Sequence, residues 1–242
     1  MLLRLEAAMA GMTPEQLQAF PLYASLNLDQ CAQLLDRHIE TSHAAEQVIV
    51  MEQDWGESLF LLRSGMAKVR TYTTDGDEVV MALLGPGDTF GEMAALDGAS
   101  RSADVVALTP LTVLKMRAAA FSALLHQQAS FALALARLES SRLRDMNRRL
   151  SLQRADAAIR LLDALAYLAR CSSPQHDPQA PIPALAQREM GVLAGLARET
   201  ASRTLSKLRR RGTVDDRDGL LRIVDLQPLI KRGLITPPEQ KP

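Results

Sequence analysis

The stretch that decides the fold is LAQREMGVLAGLARETASR, residues 185–203. Its first part, 185–196, is predicted to be a short amphipathic helix followed by a turn that contains glycine. The following run, 196–211, favours a second helix and carries six basic residues against one acidic residue. Two helices joined by a tight turn are typical of a helix-turn-helix, whose second helix enters the major groove of DNA.

The second helix places a set of polar side chains where a DNA-binding helix needs them. Arginine donates two hydrogen bonds to a guanine edge, and glutamate accepts from cytosine. A solvated basic helix is the simpler interpretation of the charge alone, but the turn, the polar set and the basic residues that follow together favour DNA binding. Spacing of 100° per residue puts four of these side chains on one side of the helix, and two more lie at the start of the first helix. The predicted DNA contacts are Gln187, Arg188, Arg198, Glu199, Ser202 and Arg203.

Composition bounds the class of protein. The chain has 242 residues, 47% hydrophobic and 23% charged, which suits one or two globular domains. The formal net charge is zero, yet 198–211 is basic and 75–104 leans acidic. This uneven distribution favours a sensor region joined to a DNA-binding region.

Several classes are disfavoured by what the residues lack. The two cysteines, Cys31 and Cys171, lie far apart, and the four histidines show no ligand spacing, so no metal or iron–sulfur site is predicted. Neither a secretory signal nor a membrane-spanning run is predicted, so we expect a cytoplasmic protein with no membrane partner. No nucleophile motif or Gly-rich nucleotide loop indicates an enzyme, and no catalytic residue is assigned.

The rest of the chain divides into helical and β-rich parts. A helix is predicted over 13–40, and a long one over 131–154. In the long helix, Leu143, Met146 and Leu150 form a stripe that packs either in a core or, as the surrounding charges favour, against a second helix. Asp156 is predicted to cap a helix reaching 169, and 214–224 to form a hairpin in the position of a wing. Short β-rich runs between turn signals predict a small antiparallel barrel or roll; they are 47–51, 58–62, 67–72, 78–83 and 104–108.

A second candidate site follows the turn Gly85-Pro86-Gly87-Asp88. A short helix beginning near Gly91 would direct free N–H groups towards an anion, and Arg101 can form a bidentate bond with a phosphate. Glu92 can accept a hydrogen bond from a ribose hydroxyl. The alternative is an ordinary turn with a surface ion pair.

These motifs, in this order, resemble the CRP/FNR transcription regulators over about residues 20–230. Residues 85–93 with 101–103 are similar to the phosphate-binding cassette of cyclic-nucleotide domains, 131–154 to the dimerisation helix, and 198–203 to the recognition helix of the branch that responds to cyclic AMP. The resemblance implies an α+β fold: a cyclic-nucleotide-binding β-roll over 1–130, a dimerisation helix and hinge over 131–155, and a winged helix-turn-helix over 156–235.

The resemblance also implies a ligand and partners. Cyclic AMP is the first choice of effector, and the ligand set it implies is Gly91, Glu92, Met93, Arg101, Ser102, Met146 and Asn147. By ungapped counting from Arg101, Met146 and Asn147 replace a Thr–Ser pair of the family. A homodimer, double-stranded DNA with a palindromic TGTGA-like site, and RNA polymerase are the implied partners, without metal, iron–sulfur cluster or haem. Two alternatives stay open: a ligand-independent sensor, or another effector such as cyclic di-GMP.

Overall fold

The described residues begin with two short helices rather than the single helix predicted over 13–40. A computed structural model describes residues 11–173, 175–185, 187–217 and 219–235, without the side chains of Gln187 and Arg217. Helix α1 spans Pro14–Gln18 and α2 spans Leu28–Leu35. The prediction is wrong because Asn27 accepts from the N–H of Gln30 and starts a new helix there. Residues 39 and 40 belong to a strand instead.

Eight strands of the described N-terminal region form two four-stranded antiparallel sheets, so the predicted roll is confirmed. The first sheet has the order β1-β8-β3-β6 and the second β2-β7-β4-β5. Strands β1, β6 and β8 were not predicted, although β8 buries Leu111 and Val113 and exposes Lys115. The strands are β1 Ile39–His43, β2 Val48–Val50, β3 Ser58–Ser64, β4 Ala67–Tyr72, β5 Glu78–Leu84, β6 Thr89–Phe90, β7 Asp104–Ala107 and β8 Leu111–Arg117.

One short helix lies within the roll, and three longer helices follow its last strand. They are α3 Glu92–Asp97, α4 Ala118–Gln127, α5 Ala129–Ser151 and α6 Ala157–Ser172. The predicted long helix is confirmed as α5, with a 3-10 turn at Leu152–Arg154. The predicted cap is also confirmed, since Asp156 accepts from the N–H groups of Ala158 at 3.0 Å and Ile159 at 3.1 Å.

The C-terminal part contains the predicted helix-turn-helix and hairpin. Its elements are α7 Gln187–Ala194, α8 Arg198–Arg210, β9 Val214–Arg217, β10 Leu220–Ile223 and α9 Gln227–Ile230. Strands β9 and β10 pair antiparallel directly after α8, in the position of a wing.

One hydrophobic core joins the two parts of the chain. Met66, Val80, Leu83 and Leu108 of the roll pack in the same buried cluster as α6, α7 and α8. Two further clusters lie within the N-terminal part, one under α1 and α2 and one between the sheets. The C-terminal part therefore packs directly against β5 of the roll.

The described residues include no single helix that is long and apolar enough to cross a membrane. Helices α4 and α5 with the 3-10 turn meet the length and composition limits only as a pair, bent by 112°.

Candidate ligand cavity and DNA-binding surface

A cavity of about 490 Å³ opens between the second sheet, α3 and α5. Its walls are largely apolar, with Val50 from β2, Val69 from β4 and Met81 from β5 among them. Charged and polar groups enter from α3, from α5 and from the segment before β7. A largely apolar cavity with a few convergent polar groups is typical of a small-ligand site.

Gly91 shapes the end of the cavity where α3 begins. Its φ of 80° lies in the left-handed region, where an L side chain is strained, and a Cβ there would lie 2.6 Å from Nη1 of Arg101. The first N–H groups of α3 have no partner within the helix, and no side chain caps them. Glycine is therefore required both for the turn and for the close approach of Arg101.

Arg101 is held in place by carbonyl groups rather than by a carboxylate. Its Nη1 donates to the carbonyl of Gly91 at 2.9 Å and its Nη2 to that of Ser58 at 2.5 Å. Only 6% of the residue is exposed, and burial lowers the pKa of the guanidinium. Among the described residues no carboxylate lies within 4.0 Å of it, so its charge is available to an anion.

Glu92 lies opposite and is 4% exposed. Its Oε1 lies 3.0 Å from Nη1 of Arg142, whereas its Oε2 is buried without a hydrogen-bond partner among the described residues. Burial raises the pKa of the carboxyl group, and the Arg142 charge opposes that rise. The unsatisfied oxygen is an acceptor without a donor, which is costly unless a ligand supplies one.

Arg142 is a site residue that sequence reasoning missed. It also contacts Glu139 at 2.9 Å and donates to the carbonyl of Thr89. Burial lowers its pKa, but the carboxylates of Glu92 and Glu139 outweigh burial and the net shift is upward. It was missed because α5 contains many arginines and the sequence alone does not show which one faces inward.

The predicted ligand residues are brought together except for one. Six of them line the cavity: Gly91, Glu92, Met93, Arg101, Ser102 and Met146. Asn147 is exposed on α5 and is not among the lining residues of the single chain. Leu143, which was predicted to lie in a helix seam, contributes to the wall next to Met146.

The helix-turn-helix is held in shape by two glycines and one arginine. Gly195 has a φ of 60°, and a Cβ at Gly191 would lie 2.9 Å from the carbonyl oxygen of Leu196. The turn closes when the N–H of Leu196 donates to Gly191 at 2.8 Å. Arg160 of α6 donates to the carbonyls of Ala194, at 3.0 Å, and of Gly195. The contacts of Gly191, Gly195 and Arg160 together fix the angle between α7 and α8.

Helix α8 has one buried apolar face and one exposed polar face. Ala201, Leu205 and Leu208 are buried against α7 and α6. The predicted base-contacting residues Arg198, Glu199 and Arg203 are exposed, and Ser202 is half-buried. Arg188 is exposed on α7, and the side chain of Gln187 lies outside the described residues.

The described part of the chain contains no group of three or more His, Cys, Asp or Glu side chains able to hold a metal ion. The polar groups of the cavity instead suit an anion with hydroxyl groups. The fold and these two surfaces define a small-molecule sensor joined to a helix-turn-helix.

Comparison with known proteins agrees with that class. Residues 40–128 match the cyclic nucleotide-binding domain and residues 159–232 the Crp-like helix-turn-helix domain. The chain is 37% identical over 169 residues to the cyclic AMP receptor protein of Thermus thermophilus, covering 69% of this chain and 74% of that protein. It is 26% identical over 194 residues to a CRP-like cAMP-activated global transcriptional regulator of Mycobacterium tuberculosis, covering 76% and 84%.

Solved structures share the fold. FixK2 of Bradyrhizobium japonicum superimposes with a TM-score of 0.69 at 21% identity, covering 80% of this chain and 96% of that one. The c-di-GMP responsive global regulator CLP of Xanthomonas campestris gives 0.64 at 20% identity, covering 82% and 100%. The chain belongs to the CRP/FNR family of cyclic-nucleotide-binding transcription regulators, which are not enzymes.

Proposed function

We propose that this protein is a homodimeric transcription regulator gated by cyclic AMP, which binds a palindromic TGTGA-like site in DNA. The observation that carries the proposal is that two complementary binding groups line the same cavity. Arg101 supplies a cation with no carboxylate within 4.0 Å among the described residues, and Glu92 supplies an oxygen that lacks a hydrogen-bond donor. A cyclic nucleotide presents an anionic phosphate and a ribose hydroxyl on one rigid unit, and these match the two groups.

The ligand would lie with its phosphate at Arg101, Ser102 and the first N–H groups of α3. Two of the five guanidinium N–H donors are already used by backbone carbonyls, so the others are left for phosphate oxygens. The ribose would face Glu92, and the base would lie against Leu143 and Met146 of α5. Met146 cannot replace a hydroxyl as a partner for the base, so base recognition here depends mainly on apolar contact.

Cyclic AMP is favoured over cyclic di-GMP by the number of cations in the cavity. A cyclic dinucleotide carries two phosphates, but the second cation, Arg142, is engaged by Glu92 and Glu139. The regulator of Xanthomonas campestris is named as c-di-GMP responsive, so this alternative is tested directly. The two relatives of Thermus and Mycobacterium are named for cyclic AMP.

DNA binding would use the exposed face of α8. Arg198 and Arg203 would donate to guanines and Glu199 would accept from cytosine, with about 1–3 kcal/mol of discrimination at each good bidentate pair. Gln187 and Arg188 would contact phosphates at the start of α7, together with the basic end of α8. Ser202 would face the outer bases of the half-site.

Dimerisation would place two α8 helices in successive major grooves, about 34–36 Å apart. Leu143 and Leu150 of α5 are 53% and 61% exposed in the single chain and lie seven residues apart, the spacing of a two-helix seam. The division at residues 130 and 155 then separates sensor, dimerisation helix and DNA-binding domain. The 3-10 turn Leu152–Arg154 interrupts the helix where a hinge is required. Such a regulator would act in the cytoplasm and contact RNA polymerase.

Two measurements test this function. Calorimetric titration of the full chain with cyclic AMP, cyclic GMP and cyclic di-GMP identifies the effector. Selection of DNA from a random library, with and without each nucleotide, identifies the site and its dependence on ligand. We expect binding of cyclic AMP and enrichment of TGTGA-like half-sites only in its presence. Enrichment of the same sites without any nucleotide would instead support a ligand-independent sensor.

A further inference from the structure

A buried ion cluster connects the sensor to the first helix of the helix-turn-helix. The Nζ atom of Lys68 lies 2.5 Å from a carboxylate oxygen of Glu78 and 2.5 Å from one of Glu189. Lys68 and Glu78 belong to neighbouring strands of the roll, whereas Glu189 belongs to α7. The three side chains are 4%, 9% and 14% exposed, so the cluster is largely shielded from solvent.

The cluster is part of a wider docked interface. Leu83, which pairs with Lys68 across β4 and β5, donates its backbone N–H to the hydroxyl of Tyr167 in α6 at 3.1 Å. Arg149 donates to the carbonyls of Val80, at 2.8 Å, and of Met81, and lies over the ring of Tyr167. Met81 also lines the cavity, so β5 both forms part of the cavity wall and contacts the C-terminal part.

The cluster also continues towards the phosphate end of the cavity. Arg70 lies 3.7 Å from Glu78 and 3.3 Å from Asp104. Asp104 comes directly after the segment Arg101-Ser102-Ala103 and accepts from the N–H of Glu52 at 2.8 Å. Alternating charges thus extend from α7 to the residue next to the cavity segment.

We propose that Lys68 and Glu189 are positioning residues, a latch that fixes the helix-turn-helix on the sensor and makes its orientation depend on the ligand cavity. While α7 is docked, Lys68 compensates the buried carboxylate of Glu189, and separating the two leaves that charge unpaired. Movement of α7 away from β4 therefore unpairs Glu189 and exposes the Lys68–Glu78 pair of the roll. The latch has two arrangements, docked and released, which is what a coupled switch requires.

The Leu83 amide provides a direct readout that needs neither ligand nor DNA. Its hydrogen exchange is slow while its N–H donates a hydrogen bond to the Tyr167 hydroxyl, and exchange becomes faster when the C-terminal domain undocks. In Lys68→Glu, three carboxylates face one another, and we expect Leu83 exchange in the full chain to rise about tenfold or more. Lys68→Glu combined with Glu189→Lys restores opposite charges across the interface and should return exchange close to that of the unchanged protein.

Two further variants separate undocking from a damaged sensor. Glu189→Gln leaves the Lys68–Glu78 pair intact within the roll, so it should raise exchange at Leu83 but not at Leu61 of the first sheet. Arg63→Glu breaks the Arg63–Glu40 pair, which lies within the first sheet, and should leave Leu83 unchanged. Unchanged Leu83 exchange in both Lys68→Glu and Glu189→Gln, or no recovery in the charge-swapped double variant, would overturn the latch.

The role in coupling rests on the proposed function and is measured separately. The ratio of DNA affinities with and without cyclic AMP should fall towards one in Lys68→Glu and recover in the double variant. If the unchanged protein shows no effect of cyclic AMP, the proposed function fails while the exchange result still decides the latch. If Leu83 exchange rises but the ratio is unaltered, the latch does not couple the two sites and that part of the proposal is wrong.

Discussion

Arg142 of the long helix and Glu92 of the cavity form an ion pair of 3.0 Å, which joins α5 to the first residue of α3. The carboxylate is 5% exposed and the guanidinium 20% exposed. Glu92 is also the predicted ribose acceptor. The same carboxyl group would therefore bind the ligand through one oxygen and Arg142 of α5 through the other. Any donor that binds the second oxygen of Glu92 alters the electrostatic environment of α5 directly.

Removing Arg142 is expected to destabilise the protein. Arg142→Met leaves Glu92 buried without its cation, which should lower the free energy of unfolding by about 2–3 kcal/mol, less than for a fully buried pair because the guanidinium is partly exposed. Adding Glu92→Gln should recover most of this loss, since the carboxylate that Arg142 compensated is then removed as well. Denaturant unfolding of the single and double variants measures both effects, and strictly additive losses would contradict a direct pairing.

Replacing Arg101 should weaken binding of the nucleotide. Arg101→Gln removes the cation and the bidentate donors, so cyclic AMP affinity should fall by about tenfold to a hundredfold or more. Arg63→Gln, which changes a partly exposed arginine on the first sheet, serves as the matched control and should bind normally. Calorimetry measures the cyclic AMP affinity of both variants. Equal affinities would show that Arg101 does not bind the nucleotide.

Ligand affinity should depend on pH through Glu92. Burial raises the pKa of this carboxyl above its ordinary value of 4.5. As pH falls through the raised pKa, the carboxylate gains a proton and loses its strength as an acceptor, so cyclic AMP affinity should fall. Titrations from neutral pH downwards should show this step in the unchanged protein and not in Glu92→Gln.

The same group affects stability in the opposite direction. Its folded pKa is raised above the unfolded one, so its contribution to stability is complete below the unfolded value and is lost as pH rises through the folded value. Ligand affinity should follow the other trend, and an affinity that fell as pH rose through the raised pKa of Glu92 would contradict its assignment as acceptor.

Two arginines of α8 should differ in their effect on DNA. Arg203 is assigned to a base and Arg210, at the basic end of the helix, to phosphate. Arg203→Ala should flatten the preference at one position of the half-site by about 1–3 kcal/mol. Arg210→Ala should weaken binding to all sequences alike and reduce its salt dependence. Binding assays on a set of single-base variants, at two salt concentrations, distinguish the two patterns.

The seam of α5 should determine the oligomeric state. Leu150→Glu places a charge on an exposed apolar position where two copies are expected to meet, and the dimer should dissociate. Ile39→Glu, at a residue 57% exposed on the first sheet, is the control and should remain dimeric. Sedimentation at several protein concentrations provides the measurement. A Leu150→Glu protein that stays dimeric would place the interface elsewhere.

Local chemistry made much of this architecture predictable. Asp156 caps α6 because its side chain supplies the acceptor that the first N–H groups need. The cap and the N–H groups lie within a few residues of each other, so the sequence shows both. The turn at Gly195 and the cavity glycine at Gly91 likewise require conformations that few other residues adopt. These features depend on a few consecutive positions, so one sequence is enough to predict them.

Other features depend on residues that meet only in the folded chain. Lys68 was assigned simply to a strand, and its burial follows from α7 bringing Glu189 to it, 121 residues further on. Arg142 looks like any other arginine of a charged helix until Thr89 and Glu92 are placed beside it. Strand β8 was overlooked although its residues alternate, and the end of the helix predicted over 13–40 belongs to its partner, β1.

The shared core limits how freely the sensor and the DNA-binding domain can be recombined with those of other proteins. Met66, Val80, Leu83 and Leu108 belong to the sensor yet pack in the interior of the C-terminal domain. A backbone carbonyl of Cys171 also lies so close to Gly85 that no side chain fits between them. A chimera that joins this DNA-binding domain to a foreign sensor therefore inherits an incomplete interior. Transplanting either part therefore requires matching the residues on both sides of this boundary.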